Sequence, residues 1–151
     1  MNKNYALEQT NYPLVSVVTP SYNQGRFIEE TILSVKNQDY PNIEHIIVDG
    51  GSEDSTVEIL KKYEGAYNMR WISEPDKGHS DAVNKGFRMA NGKIIGWINS
   101  DDVYVDRSVI RFVVECFQKH SNVDVVYGDG LFIEEDGTIL RVQCTPRFSY
   151  R

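Results

Sequence analysis

The chain has 151 residues, 40% of them hydrophobic and 25% charged, with a formal net charge of −6. That length suffices for one domain with its own core. The acidic balance argues against a general nucleic-acid surface, and no apolar run approaches the roughly 20 residues of a membrane span.

Residues 1–12 read as a polar N-terminal extension without a signal peptide's apolar core, and 13–151 as one domain. The β-branched run Leu14–Thr19 predicts a buried strand, ended by Pro20. The loop Ser21-Tyr22-Asn23-Gln24-Gly25 follows, with Asn23 as cap of a helix over about Arg26–Gln38. Ile43–Val48 is a second strand, running into Asp49-Gly50-Gly51. Ser52 and Asp54 are candidate caps for a helix over about Ser55–Tyr63. Met69–Ser73 is a short third strand. Glu74-Pro75-Asp76-Lys77-Gly78 then breaks the chain before a helix over about Ser80–Ala90, stopped by Asn91-Gly92. The fourth strand is Lys93–Asn99. Asp106 can cap a helix over about Arg107–Lys119, and Val123–Tyr127 reads as a fifth strand. Leu131–Ile133 and Thr138–Val142 flank Glu134-Glu135-Asp136-Gly137 as a hairpin.

Strand–helix alternation of this kind predicts an α/β sandwich around a mostly parallel sheet, with ligands at the carboxyl ends of the strands. Four loops fall there: Pro20–Gly25, Asp49–Ser52, Glu74–Ser80 and Ser100–Asp102. Asp101 and Asp102 are either a solvated turn or a site for Mg²⁺ or Mn²⁺, which take oxygen ligands and bridge carboxylates to phosphates. Asp49 before two glycines is either a turn or an acceptor for a base N–H. Tyr22 can lie against a nucleobase or pack on the surface. The helix entry after Lys77-Gly78 is a natural anion site, and Lys77 a point charge for a phosphate or a solvated surface lysine. His79 reads as a surface helix-entry residue. Cys116 and Cys144 form no metal-ligand spacing; Cys116 reads as a small buried hydrophobe in a reducing compartment, from which a cytoplasmic location follows. P-loop, dinucleotide-binding and nucleophile-elbow motifs are absent from the sequence.

In this order, four stretches resemble the family 2 glycosyltransferases of GT-A fold. They are Val17-Val18-Thr19-Pro20-Ser21-Tyr22-Asn23; Val48-Asp49-Gly50-Gly51-Ser52; Glu74-Pro75-Asp76-Lys77-Gly78 with Asn84-Lys85-Gly86; and Asn99-Ser100-Asp101-Asp102. The resemblance implies a nucleoside-diphosphate sugar, UDP-linked, with Pro20 and Tyr22 around base and ribose and Asp49 on the base. It puts Lys77 and Gly78 near the diphosphate or donor sugar. Ser100-Asp101-Asp102 looks like the family's DxD element with serine in the first place, which leaves the metal, Mn²⁺ or Mg²⁺, on Asp102 and turns Asp101 towards the ribose or sugar. The implied chemistry is inverting transfer to the hydroxyl of a glycan or lipid-linked acceptor, in cell-surface polysaccharide or glycan synthesis.

In the family the catalytic base lies well downstream of the aspartate pair, in an acceptor half. The expectation is therefore a fragment or truncated form holding the donor half, with the base beyond Arg151. It would sit in the cytoplasm or peripherally at the inner face of a membrane, and an apolar edge left by the missing half would favour self-association. Two other readings compete. One is a non-catalytic nucleotide-sugar-binding or interaction module of the same fold. The other is a phosphotransfer receiver domain, which needs carboxylates after the first strand, where this chain has Thr19-Pro20-Ser21-Tyr22-Asn23.

Overall fold

The computed structural model describes residues 12–145, so the 1–12 extension lies almost wholly outside the described residues. The described residues fall into two compact units that divide between Arg111 and Phe112.

The first unit holds β1 (Val15–Ser21), α1 (Ile28–Lys36), β2 (Ile43–Asp49), α2 (Thr56–Tyr63), β3 (Met69–Ser73), α3 (His79–Met89) and β4 (Ile94–Trp97). The strands form one sheet in the order β3-β2-β1-β4, every neighbour parallel. β1 and β2 are buried on both faces almost throughout, so neither alternates between buried and exposed positions, and the polar residues within them are buried too. Successive side chains still serve opposite layers. Ile47 packs with Ile28, Ile32 and Leu60 of α1 and α2, whereas Ile46 and Val48 pack with Ala82 of α3. This is the expected three-layer α/β/α sandwich. Gly86 of α3 lies against Val18, where a Cβ would collide with the valine's methyls.

The chain leaves β1 for β2 on one side and returns to β4 on the other. The order therefore reverses between β1 and β4, and a crevice opens beyond their carboxyl ends.

Several local expectations change. β1 runs through Pro20 to Ser21, because β4 stops at Trp97 opposite Val18 and leaves that end of β1 paired with β2 alone. A proline is tolerated where one side needs no ladder donor. Asn23 does not cap α1. It adopts φ 51°, and its Oδ1 accepts the Glu53 N–H at 2.9 Å, tying two loops together. Nor does Gly92 close α3 as a left-handed cap. The helix ends at Ala90 in extended backbone, and a Cβ on Gly92 would meet Ser16 N at 2.6 Å, so glycine serves close approach to β1. β4 itself covers only Ile94–Trp97, after which the Ile98 N–H still reaches Val18 O and the chain turns.

α4 (Val109–Lys119) crosses into the second unit, which adds the antiparallel pair β5 (Gly130–Ile133) and β6 (Ile139–Gln143). The predicted hairpin is there, with Gly137 at φ 83° in its turn. Val123–Tyr127 is not a strand: an apolar β-branched run becomes one only with a ladder partner, and it has none among the described residues. Cys116 is half-buried rather than buried.

Candidate functional site

A cleft of about 950 Å³ opens at the reversal point of the first unit's sheet. Its walls come from the four expected loops together with Ala82, Trp97 and Asn99 beside them. Pro20, Ser21, Tyr22 and Gln24 follow β1, and Gly50 follows β2. Pro75, Asp76, Gly78, His79 and Ala82 lead into α3, and Trp97, Asn99, Ser100 and Asp101 end β4. Of the residues singled out in the sequence, Pro20, Tyr22, Gly78 and Asp101 line this space; Asp49, Lys77 and Asp102 do not.

Asp49 is fully buried. Its Oδ2 accepts Gly51 N–H at 3.2 Å, Ser52 N–H at 2.9 Å and Ser73 O–H at 2.6 Å, and its Oδ1 accepts the Ser52 hydroxyl. Four donors on one carboxylate make a loop organiser. Ser52 Oγ in turn accepts Asn23 N–H at 2.7 Å, which holds the Tyr22 loop beside β2. Tyr22 projects with its side chain 59% exposed, an aromatic face available for stacking. A Cβ on Gly50 would lie 2.9 Å from Asp76 Oδ2 and 3.3 Å from the Tyr22 ring, so glycine keeps open the space between that ring and that carboxylate.

At the α3 entry the two amides just before the helix are taken by the chain's own carboxylates. Asp76 Oδ1 accepts Gly78 N–H at 2.7 Å, and Asp81 Oδ2 accepts Lys77 N–H at 3.2 Å. The Lys77 hydrogen bond, with Lys85 and Lys77 nearby, holds the Asp81 carboxyl below its ordinary range. Lys77 is exposed and is not one of the lining residues.

Beyond β4, the half-buried Asn99 joins several groups. Its Oδ1 accepts Trp97 Nε1–H and meets His79 Nε2, each at 3.1 Å, and its Nδ2 donates to Asp102 Oδ2 at 2.9 Å. The His79 and Trp97 rings lie 5.6 Å apart. The fully buried Thr31 donates to the Asp102 carbonyl at 2.8 Å and fixes that turn from α1. Among the described residues nothing donates to the Asp101 carboxylate.

The sequence reading missed His79, Trp97 and Asp76 as wall residues. Trp97 carried a signal, being a large aromatic on an edge strand two residues from the Asn99 turn. Ser21 carried none: its buried hydroxyl has no partner among the described residues and lies in the cleft wall.

The cleft lining holds two carboxylates, Asp76 and Asp101, and no lysine or arginine. The donor chemistry fits Mg²⁺ or Mn²⁺: hard oxygen ligands, with no group of three His, Cys, Asp or Glu side chains among the described residues that would cage a metal alone. Such cations bind through one or two carboxylates and take their remaining ligands from water and substrate phosphates.

A parallel α/β sheet with a polar, carboxylate-bearing cleft at its reversal point defines a ligand-binding domain of the nucleotide-binding kind. The chain belongs to glycosyl transferase family 2, whose sequence profile matches residues 16–148. Its fold is the GT-A fold of that family. An "uncharacterized glycosyltransferase" of Mycobacterium tuberculosis is 37% identical over 123 residues, 81% of this chain and 47% of the relative. A mannosyltransferase from Pyrobaculum calidifontis, solved with GDP-Man and Mn²⁺, superposes with a TM-score of 0.68 at 25% identity, over 83% of this chain and 37% of that one. Staphylococcus aureus TarS with UDP-GlcNAc gives 0.65 at 27% identity, over 72% and 32%. The chain thus spans about half the length, 47%, of the first of these relatives.

Proposed function

We propose that this chain carries the donor side of a metal-dependent, inverting sugar transfer from a UDP-sugar to a hydroxyl of a glycan or lipid-linked acceptor. One observation carries the reading: the lining holds two carboxylates and neither lysine nor arginine. A diphosphate entering such a cleft is repelled unless a divalent cation comes with it.

Tyr22 stacks on the base, with Pro20 beside it and Gly50 leaving room for its edge. Asp49 shapes the loop that presents that edge, and Asp76 Oδ2 offers an acceptor to it. Gly78 lies by the diphosphate or sugar with Lys77 at its margin, and Asp101 faces ribose or sugar. Asp102, outside the lining but next to its member Asp101, holds the cation with the oxygen that Asn99 leaves unbonded. A divalent cation bound there supplies Lewis-acid neutralisation of the charge that develops on the leaving diphosphate. In the transfer the acceptor oxygen bonds to the anomeric carbon from the face opposite the diphosphate. The bond to the diphosphate breaks, and a carboxylate base takes the acceptor proton; no residue of this chain is assigned that last role. The UDP-GlcNAc and GDP-Man bound in neighbouring structures support a nucleotide-sugar ligand, and the Mn²⁺ supports the cation. Among the described residues no helix is long and apolar enough to cross a membrane. A cytoplasmic site, peripheral to the inner membrane face, belongs to the proposal.

Calorimetric titration of UDP with Mn²⁺ and with chelator tests this. Binding should appear with the cation and disappear with chelator. Cation-independent binding, or none by the folded protein, overturns it. GDP in the same titration tests the uridine assignment, with weaker binding expected.

A further inference from the structure

We propose that Asn99 is a positioning residue that ties off one oxygen of Asp102 and leaves the other free to ligate a divalent cation. This rests on the donor-site reading above.

The argument starts from what each neighbour can do. The Trp97 indole N–H is a donor only, and an ionised Asp102 carboxylate is an acceptor only. Asn99 stands between them, 3.1 Å from Trp97 Nε1 and 2.9 Å from Asp102 Oδ2. Only one orientation of its amide satisfies both: oxygen towards the indole, NH₂ towards the carboxylate. His79 Nε2, also 3.1 Å from Asn99 Oδ1, then donates to the same oxygen and is the protonated ring nitrogen. The backbone is held as well, since Asp102 N–H reaches Asn99 O at 3.2 Å and Thr31 Oγ1–H reaches Asp102 O at 2.8 Å. The carboxylate is thus fixed from both ends before any cation arrives, with Oδ2 engaged.

A carboxylate with one oxygen occupied binds a cation through the other. That suits Mg²⁺ and Mn²⁺, which demand near-octahedral geometry; Ca²⁺ tolerates bidentate carboxylates and irregular shells. Asn99 would therefore set cation preference as well as affinity. Through His79, the first residue of α3, it also connects the third loop to the aspartate pair.

The test is cation titration of the full chain with UDP, reading free Mn²⁺ by electron paramagnetic resonance and Ca²⁺ by competition. Asn99→Ala should weaken Mn²⁺ binding about tenfold while Ca²⁺ binding changes less, so that the Mn²⁺-to-Ca²⁺ ratio falls several-fold. Trp97→Phe, which keeps an aromatic ring of smaller size and loses the N–H, should move the ratio in the same direction by a smaller factor. Far-UV circular dichroism confirms that each variant is folded. An unchanged ratio in Asn99→Ala, whether both cations hold or both weaken equally, overturns the positioning role and leaves the donor-site reading standing. No cation binding by the parent chain overturns both, and the UDP titration above identifies that case separately.

Discussion

The two ends of the parallel sheet use carboxylates in opposite ways. At the amino end, Glu44 is nearly buried, and every partner it needs is present. Ser16 donates at 2.5 Å, Asn91 N–H at 2.7 Å and Arg70 at 2.8 Å. Burial raises its pKa, and these bonds from Ser16, Asn91 and Arg70 outweigh that and hold it below the usual carboxylate range. At the carboxyl end, Asp101 is exposed and has no donor among the described residues, and Asp76 has one on Oδ1 alone. A carboxylate saturated by its own fold braces; one left with open lone pairs recruits a ligand. Asp49 sharpens the point, because it stands at the functional end yet is saturated like Glu44.

The largest effect should come from the bracing end. Glu44→Ala removes the acceptor of the Ser16 hydroxyl and of the Asn91 amide and leaves Arg70 with the Met89 carbonyl, and should cost roughly 2–3 kcal/mol in urea unfolding. UDP affinity of the remaining folded protein should stay the same; a matching loss of affinity would break the division between the two ends.

Next is a pH dependence from the sheet interior. His45 is fully buried between Thr19 Oγ1 at 2.9 Å and Tyr67 O–H at 2.6 Å, and burial pulls its pKa from 6.5 to about 3. The unfolded chain therefore binds a proton that the native one refuses. Stability is complete above about pH 6.5 and falls as pH drops towards 3. Between pH 7 and 4.5 this group should remove roughly 2–3 kcal/mol. An NMR titration showing the folded ring protonating near pH 6 would contradict it.

At the recruiting end the pattern should invert. Asp101→Ala should leave unfolding stability within about 0.5 kcal/mol and weaken cation-dependent UDP binding at least about tenfold. A variant that lost stability and kept affinity would make Asp101 a brace.

The smallest effect is the most diagnostic. Ser21 Oγ is buried and unpartnered among the described residues. Ser21→Ala should raise the stability of the ligand-free protein by up to about 1 kcal/mol and lower UDP affinity by a few-fold. Equal stability and equal affinity would make Ser21 neither brace nor donor.

Much of this was legible in the chain. The runs read as ending at Thr19, Val48 and Ser73 and the helical spacing between them gave strands, helices and the four loops, although the first two strands extend to Ser21 and Asp49. The hairpin was legible from its turn residues. Val123–Tyr127 was not, since a strand also needs a neighbour, and sequence does not name one. Gly92 and Asn23 misled for a related reason: both carry helix-end signals, and both are used for contacts with residues tens of positions away.

The sequence alone determined that the polar residues of interest lie in loops at one edge of a parallel sheet, and its motif order determined the family. Only the tertiary structure decided which of those residues are spent internally. Asp49 looks like a ligand group in one dimension, yet its carboxylate already has four donors, and the backbone amides of Lys77 and Gly78 are taken by Asp81 and Asp76. Asp76, Asp101 and Ser21 keep open valence towards the cleft. Hydrogen-bond capacity belongs to a residue, but whether it is filled depends on what folding brings within 3 Å or so of it.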